Sequence, residues 1–466
     1  MAALESREAS LMPEARQRLR EVDRRHHLHP FTDHRLLREQ GAVIVEGAKG
    51  SRILLEGGIA LIDAVAGLAC VNIGYGRAEM AEAAARAMRQ LSYYHAFQQV
   101  TNPYAAELAA RITERAPREL NRVFFSNSGS EANETALKIL RAYWQARGEP
   151  ERRVVIARHH SYHGATLATA SLTGLPHMHT GFGLPDENVR HVLAPFWYRE
   201  ARVDEDPETF GRRAAQAVAE EIERVGARHV AAVIAEPVQV TGGAIVPPVT
   251  YWPRLAAICH EYGIPLILDE VVTGMGRTGS WFAADRFGIQ PQIITLAKGL
   301  SSGYQPIGAT LVADEIAEVA LESLDGAFQH GFTTSAHPVA AAVALENLRI
   351  LETENLLARV DALANRLAEG FACLADNPLV GEIRHSGLIF GIEIVQDKAA
   401  RRHFPLDQAV CGQVANACLK RGVIVRAVGN AIVVTPPFIL TNDEADQLTS
   451  ALAAGLDEVA KALLPA

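Results

Sequence analysis

The sequence predicts an α/β protein, with a large domain on a mostly parallel sheet flanked by helices and a smaller α+β domain. Three observations carry this. Apolar runs of strand length recur at 122–125, 154–156, 230–235, 265–268 and 293–297. Helix-period segments lie between several of them, as βαβ units require. After about residue 336 the pattern changes, first to an Ala- and Leu-rich amphipathic stretch over 339–375, then from Ser386 to short strands closed by a helix. The expected division is residues 1–70 as an N-terminal arm and part of the small domain, 71–335 as the large domain, and 336–466 as the rest of the small domain.

Composition narrows the function classes. With 48% apolar and 21% charged residues, the chain is ordinary globular protein rather than disordered. A formal charge of −9 offers no basic surface for nucleic acid. Five cysteines, odd in number and without a CxxC pair, argue for a reducing compartment. No signal peptide or membrane-spanning run is present, so a cytoplasmic location and no membrane partner are expected.

Along the chain, residues 1–30 read as a charged helix leading into HHLHPFTDH. His26, His27, His29 and His34 cluster there. Their spacing matches no defined ligand pattern and Pro30 interrupts any helical face, so a packing arm is expected and no metal centre. Alternation over 42–62 predicts small antiparallel strands. Gly67, Gly74 and Gly76 then punctuate an apolar segment, and 78–91 reads as a helix. After the 122–125 strand comes SNSGSEANETALK, where Ser128 and Glu131 form a capping box opening a helix. A strand, a Gly/Ser turn and a helix N-terminus make an anion site, because free N–H groups and the helix dipole favour phosphate. An ordinary capped helix has the same sequence, and no G-K-[ST] follows to make a nucleotide loop.

The 230–235 run ends on Glu236, and Tyr162 and His163 precede Gly164. A ring beside a Gly turn suits stacking on a flat cofactor as well as plain packing. Residues 274–279 satisfy G-x-G-x-x-G, yet no helix opens inside the motif and residues 290–304 hold no acid. A Gly-rich loop, not a nicotinamide site, is expected. The 265–268 run ends on Asp269 and Glu270, and the 293–297 run on Lys298. Charges at the C-terminal ends of neighbouring parallel strands sit where open α/β sheets bind ligands. One chemistry wants both: pyridoxal 5'-phosphate (PLP) on the lysine as a Schiff base, with an acid partner for its ring nitrogen. A plain ion pair at the sheet edge explains the same two residues.

In order along nearly the whole chain, from HHLHPFTD to TPPF, the motifs SNSGSEANETALK, YHG, EPVQ, LDEVVTGMGRTG, TLAKGLSSGYQPIG and HGFTTSAHP resemble the class III aminotransferases, within the omega-amine:pyruvate transaminase group. The resemblance implies PLP fold type I with a seven-stranded sheet. It implies Lys298 as the Schiff-base and proton-transfer lysine, and Asp269 as partner of the pyridine nitrogen. Gly129 and Ser130 correspond to a phosphate cup, and Thr333 to a phosphate-binding residue donated by the other subunit of a homodimer, itself able to pair into a tetramer. Tyr162 and Val271 match the residues that sandwich the ring, Gln239 the one reaching its phenolic oxygen, and Arg426 a mobile arginine for substrate carboxylates. Glu236 matches a position that in some relatives pairs with a substrate-binding arginine. The sequence departs from the group at Ala69, where a tryptophan is common, and at Gln98, beside a retained Phe97, where an aromatic is frequent; a roomier, more polar substrate pocket is expected. The implied activity is ping-pong transfer of an amino group from an ω-amine, polyamine or ω-amino acid to pyruvate or a similar keto acid. An aminomutase, a dialkylglycine-type decarboxylase and a non-catalytic PLP-binding regulator are the alternatives on the same scaffold.

Overall fold

The computed structural model describes residues 12–117, 119–322 and 326–464. The fold is α/β, with fifteen strands in three sheets among these residues. Near the N-terminus, β1 (Val45–Lys49), β2 (Arg52–Leu55) and β3 (Ile59–Asp63) run antiparallel. The central sheet follows with β4 (Arg122–Ser126), β5 (Val154–Arg158), β6 (Val189–Val192), β7 (Val230–Ala235), β8 (Leu266–Asp269), β9 (Ile293–Leu296) and β10 (Gly308–Val312). Its order is β4-β10-β9-β8-β7-β5-β6, and β10 alone runs against its neighbours. The C-terminal part adds β11 (Val380–His385), β12 (Phe390–Ile394), β13 (Val423–Ile424), β14 (Arg426–Val428) and β15 (Ala431–Val434). β13 pairs in parallel with β3, so the first sheet draws strands from both chain ends; the other four form the sheet β11-β12-β15-β14.

The central strands β5, β7, β8 and β9 are buried along their whole length, as expected of strands covered by helices on both faces. The Gly129–Ala146 helix lays Ala136, Ile139, Leu140 and Trp144 on one side, and the Pro207–Val225 helix lays Phe210, Ala214, Val218 and Ile222 on the other. The parallel strands share one direction, so their C-terminal ends deliver Arg158, Glu236, Asp269 and the turn to Lys298 to one edge.

Several expectations change in detail. The single helical stretch over 339–375 is two helices, Pro338–Thr353 and Leu356–Ala372, broken where Asn355 takes φ 49°. The N-terminal helix is Pro13–His26; the part of that expectation over residues 1–11 lies outside the described residues. The Gly-rich loop at 274–279 opens no helix, as expected; it nails the fold together instead. Arg277, fully buried, donates to the Pro436 carbonyl and to Asn72 Oδ1, both at 2.5 Å. No described helix is long and apolar enough to cross a membrane.

Candidate active site

A cleft with about 610 Å³ of open space lies at the C-terminal edge of the central sheet. Gly129, Ser130, Tyr162, Glu236, Asp269, Val271 and Lys298 all line it. β8 supplies Asp269 as its last residue, and the chain leaves β9 through Ala297 into a short 3-10 turn that starts at Lys298. Lys298 takes φ 39°, a left-handed conformation costly for a residue with a side chain. Such strain clusters at functional sites.

Asp269 is 3% exposed and its carboxylate is held on two sides. Oδ2 accepts from His163 Nδ1 and from Asn133 Nδ2, each at 2.8 Å, and Oδ1 accepts the Val271 N–H at 3.1 Å. The Asn133 amide is itself oriented, since its Oδ1 accepts from Thr295 Oγ1 at 2.9 Å. His163 Nε2 is buried without a hydrogen-bond partner, 3.7 Å from Glu236 Oε2. Burial pushes the Lys298 ammonium down from its usual range, helped by Arg426 and opposed by Cys70 and Asp269. Among the described residues Lys298 Nζ has no hydrogen bond or ion pair.

The helix beginning at Gly129 leaves the N–H groups of its first turn without intrahelical acceptors. Ser128 Oγ accepts one of them, from Glu131 at 3.2 Å. The expected capping box is only half made: the Glu131 carboxylate takes the Asn127 N–H rather than that of Ser128. The N–H groups of Gly129 and Ser130 thus remain for an anion. Small residues are needed here, because a Cβ on Gly129 would lie 2.9 Å from the Val271 methyls and one on Gly164 2.6 Å from Ser130 Oγ.

The other expected residues divide between the cleft and the rest of the fold. Glu236 lines the cleft but does not pair with Arg426. Arg158, 1% exposed, donates to its carbonyl at 2.6 Å and to Oε2 at 3.1 Å, and Oε1 accepts the Tyr162 N–H at 3.0 Å. Gln239 is fully buried, with Nε2 donating to the His159 carbonyl and Oε1 without a partner; it is not among the lining residues. Ala69, 5% exposed, ends a left-handed turn in which Ala66, Gly67, Leu68 and Ala69 all have φ between 48° and 69°. Asp63 stitches that turn by accepting the Val65 and Gly67 N–H groups. Phe97 and Gln98 are exposed and line a second cleft with Phe124, His330 and Gly331. Thr333 is exposed, its carbonyl accepting the Tyr93 hydroxyl at 2.7 Å. Arg426 opens β14, an edge strand. Burial lowers its pKa, its charge is felt at both Tyr162 and Lys298, and it has no hydrogen bond or ion pair among the described residues.

Asn133 and Arg158 escaped the sequence reading. The available signal was a polar residue on the apolar face of a helix, beside Ala132 and Ala136, and an arginine closing the run Val154, Val155, Ile156, Ala157.

This donor set fits PLP: a half-buried, unpaired amine for its aldehyde, a clamped carboxylate for its ring nitrogen, and free helix N–H groups for its phosphate. The comparisons agree. The family model for aminotransferase class-III matches residues 37–456. The putrescine–pyruvate aminotransferase of Pseudomonas aeruginosa is 45% identical over 444 residues, covering 95% of this chain and 96% of that protein. The mitochondrial gamma aminobutyrate transaminase 1 of Solanum lycopersicum is 38% identical, covering 93% of this chain and 85% of its own. Among solved structures, an (S)-enantioselective omega-transaminase from Thermomicrobium roseum superposes with a TM-score of 0.92 at 42% identity, covering 95% of this chain and 98% of the other. The omega transaminase of Pseudomonas jessenii in complex with PMP gives 0.94 at 40% identity, covering 96% and 99%. A match across nearly the whole sequence and on the same fold makes this chain a member of the class III aminotransferases, enzymes that use PLP.

Proposed function

We propose that this enzyme moves an amino group from an ω-amine, a polyamine or an ω-amino acid to pyruvate or a similar keto acid, in the two halves of a ping-pong cycle. One observation carries the reading: Lys298, without a partner, and Asp269, clamped by His163 and Asn133, line one cleft with a helix N-terminus. The 45% identity to a putrescine–pyruvate aminotransferase supports a diamine donor and pyruvate as acceptor.

Bound PLP supplies a pyridinium that draws off the electrons left when a proton leaves the substrate carbon. Asp269 is assigned to keep the ring nitrogen protonated, with its own carboxylate held in place by His163 and Asn133. Lys298 Nζ is assigned to take that proton and return it, which requires a neutral amine; its depressed pKa favours that state. Gly129 and Ser130, which line the cleft, would hold the phosphate through backbone N–H groups, and Tyr162 and Val271 would flank the ring. The unpaired guanidinium of Arg426 is assigned to the keto acid's carboxylate. Thr333, Phe97 and Gln98, exposed and away from the cleft of their own chain, are assigned to the cleft of a second copy in a homodimer.

The test is a panel of amine donors with pyruvate, reading alanine. Alanine should form with diamines and ω-amines and depend on the keto acid. Release of carbon dioxide, or product made without any keto acid, would sink the proposal.

A further inference from the structure

The N-terminal histidines, which the aminotransferase chemistry does not use, acquire a partner in the fold. Asp23 and His27 sit one turn apart at the end of the Pro13–His26 helix, and His27 Nδ1 lies 3.0 Å from Asp23 Oδ1. The chain then reverses and brings His29 back, with Nε2 2.9 Å from Asp23 Oδ2 and 3.0 Å from Oδ1. His34 fixes that reversal, its Nε2 lying 3.1 Å from the His29 carbonyl, which it reaches as a donor. The three donor atoms of Asp23, His27 and His29 all lie within 4.8 Å of one another.

We propose that Asp23, His27 and His29 form a binding site for one divalent transition-metal ion of the Zn²⁺ or Ni²⁺ class, with water completing its shell. Imidazole and carboxylate ligands suit these ions, whereas Mg²⁺ and Ca²⁺ call for more oxygens. Ligand bonds of about 2.0 Å in a tetrahedron place neighbouring donors about 3.3 Å apart, so the two Asp23–imidazole edges, at 2.9–3.0 Å, open only slightly to admit the ion. His27 is exposed and the other two are half-buried, which leaves a route in and a face for water. As an ion pair alone the arrangement contributes little, because solvent screens exposed pairs. On binding, each imidazole presents a lone pair at the ligating nitrogen, so its proton moves to the other ring nitrogen or leaves to solvent. The ion then clasps the end of the first helix to the reversal that follows it.

The proposal does not rest on the amine and acceptor assigned above, and its test does not read turnover. Cofactor-loaded enzyme, stripped with a chelator and dialysed, is titrated with ZnCl₂ and with NiCl₂ by calorimetry. One saturable equivalent per chain is expected, with MgCl₂ giving none. His29→Ala and Asp23→Asn should each weaken that equivalent more than tenfold, the minimum that losing even an outer-shell partner tends to cost, and leave the bound cofactor's visible absorbance unchanged. X-ray absorption at the zinc edge should show nitrogen and oxygen neighbours only. No saturable equivalent in the parent, an equivalent that survives both substitutions, or sulfur in the metal's shell would each overturn the site.

Discussion

Two sets of charges in this molecule are built on opposite plans. Glu393, on β12, is fully buried and fully paired. Oε1 accepts from Arg199 and from His403, both at 2.7 Å, and Oε2 accepts from Arg384 at 2.7 Å. Arg384 spends its other donors on Glu382 and on the carbonyls of Gly243 and Ala244. That network ties the C-terminal sheet to the loop after β7. Lys298, which lines the cleft, and Arg426, whose charge is felt at Lys298 and Tyr162, have no hydrogen bond or ion pair among the described residues. Burying a charge is costly unless it is paired, so the first arrangement holds the fold together, and the second is the one proposed to meet a ligand's own charges. A cation left unpaired, and not burial itself, is what separates the candidate site from the scaffold here.

The contrast is broken most severely at the lysine. Lys298→Ala should abolish the visible absorbance of bound cofactor and cut turnover by at least about 10²–10⁴-fold, the contribution of a positioned proton carrier, while the unfolding midpoint of the cofactor-free protein stays close to the parent's. A variant that retains activity would remove the lysine from the chemistry.

On the scaffold side the loss should fall on stability. Glu393→Gln leaves Arg199, Arg384 and His403 around a neutral amide, and breaking a buried pair in this way costs about 3–5 kcal/mol, read as a lower denaturant midpoint with cofactor loading preserved at low denaturant. The pH dependence sharpens it. Burial alone would raise the Glu393 pKa, but His403, Arg384 and Arg199 overcome that and bring it down to about 2. A carboxyl depressed on folding contributes stability that is fully present above its ordinary pKa, about 4.3, and is lost as pH falls toward 2. The parent should therefore lose more stability than Glu393→Gln between pH 5 and pH 3. Parallel curves would show that the network carries no such linkage.

This division also explains how much was legible in the sequence. Asp269, Glu236 and Lys298 stood out because each charge ends an apolar run, a contradiction visible in one dimension. β7 was read to the residue for the same reason, being apolar throughout. β6 and β11 were missed: Val189-Arg190-His191-Val192 and Val380–His385 carry polar residues because they lie at the edges of their sheets. The helix break at Asn355 was hidden by apolar periodicity continuing on both sides. The turn at 66–69 was read only as Gly-punctuated, since nothing local in Ala-Gly-Leu-Ala announces four left-handed residues held by Asp63. Glu236 shows the limit of resemblance as well. Its position suggested a substrate-binding arginine, yet its partner is Arg158, from the end of a strand expected to stop at Ile156 and found to run through Arg158.

Arg426 should show a smaller effect than the lysine, confined to one half of the reaction. A hydrogen bond to a charged group contributes about 1.5–3 kcal/mol, so Arg426→Ala should lower kcat/KM for pyruvate by about 10–100-fold and leave that for a simple amine lacking a carboxylate near the parent value. Equal losses for both substrates would make Arg426 a structural residue.

The smallest effect links the two unpaired cations. Burial chiefly, and the charge of Arg426 in addition, lower the pKa of Lys298. A lowered pKa raises the fraction of neutral, nucleophilic amine at a given pH. In cofactor-free enzyme, an amine-selective reagent small enough for the cleft should therefore modify Lys298 faster than exposed lysines such as Lys420 at neutral pH, read by peptide mass mapping, and acid should slow the reaction. Arg426→Ala removes a positive neighbour and admits water, and both changes favour the ammonium. The variant's Lys298 should react a few-fold more slowly at neutral pH and converge with the parent at high pH, where both lysines are neutral. Unchanged rates across the whole pH range would show that the two cations do not sense one another, leaving burial as the sole source of the lysine's reactivity.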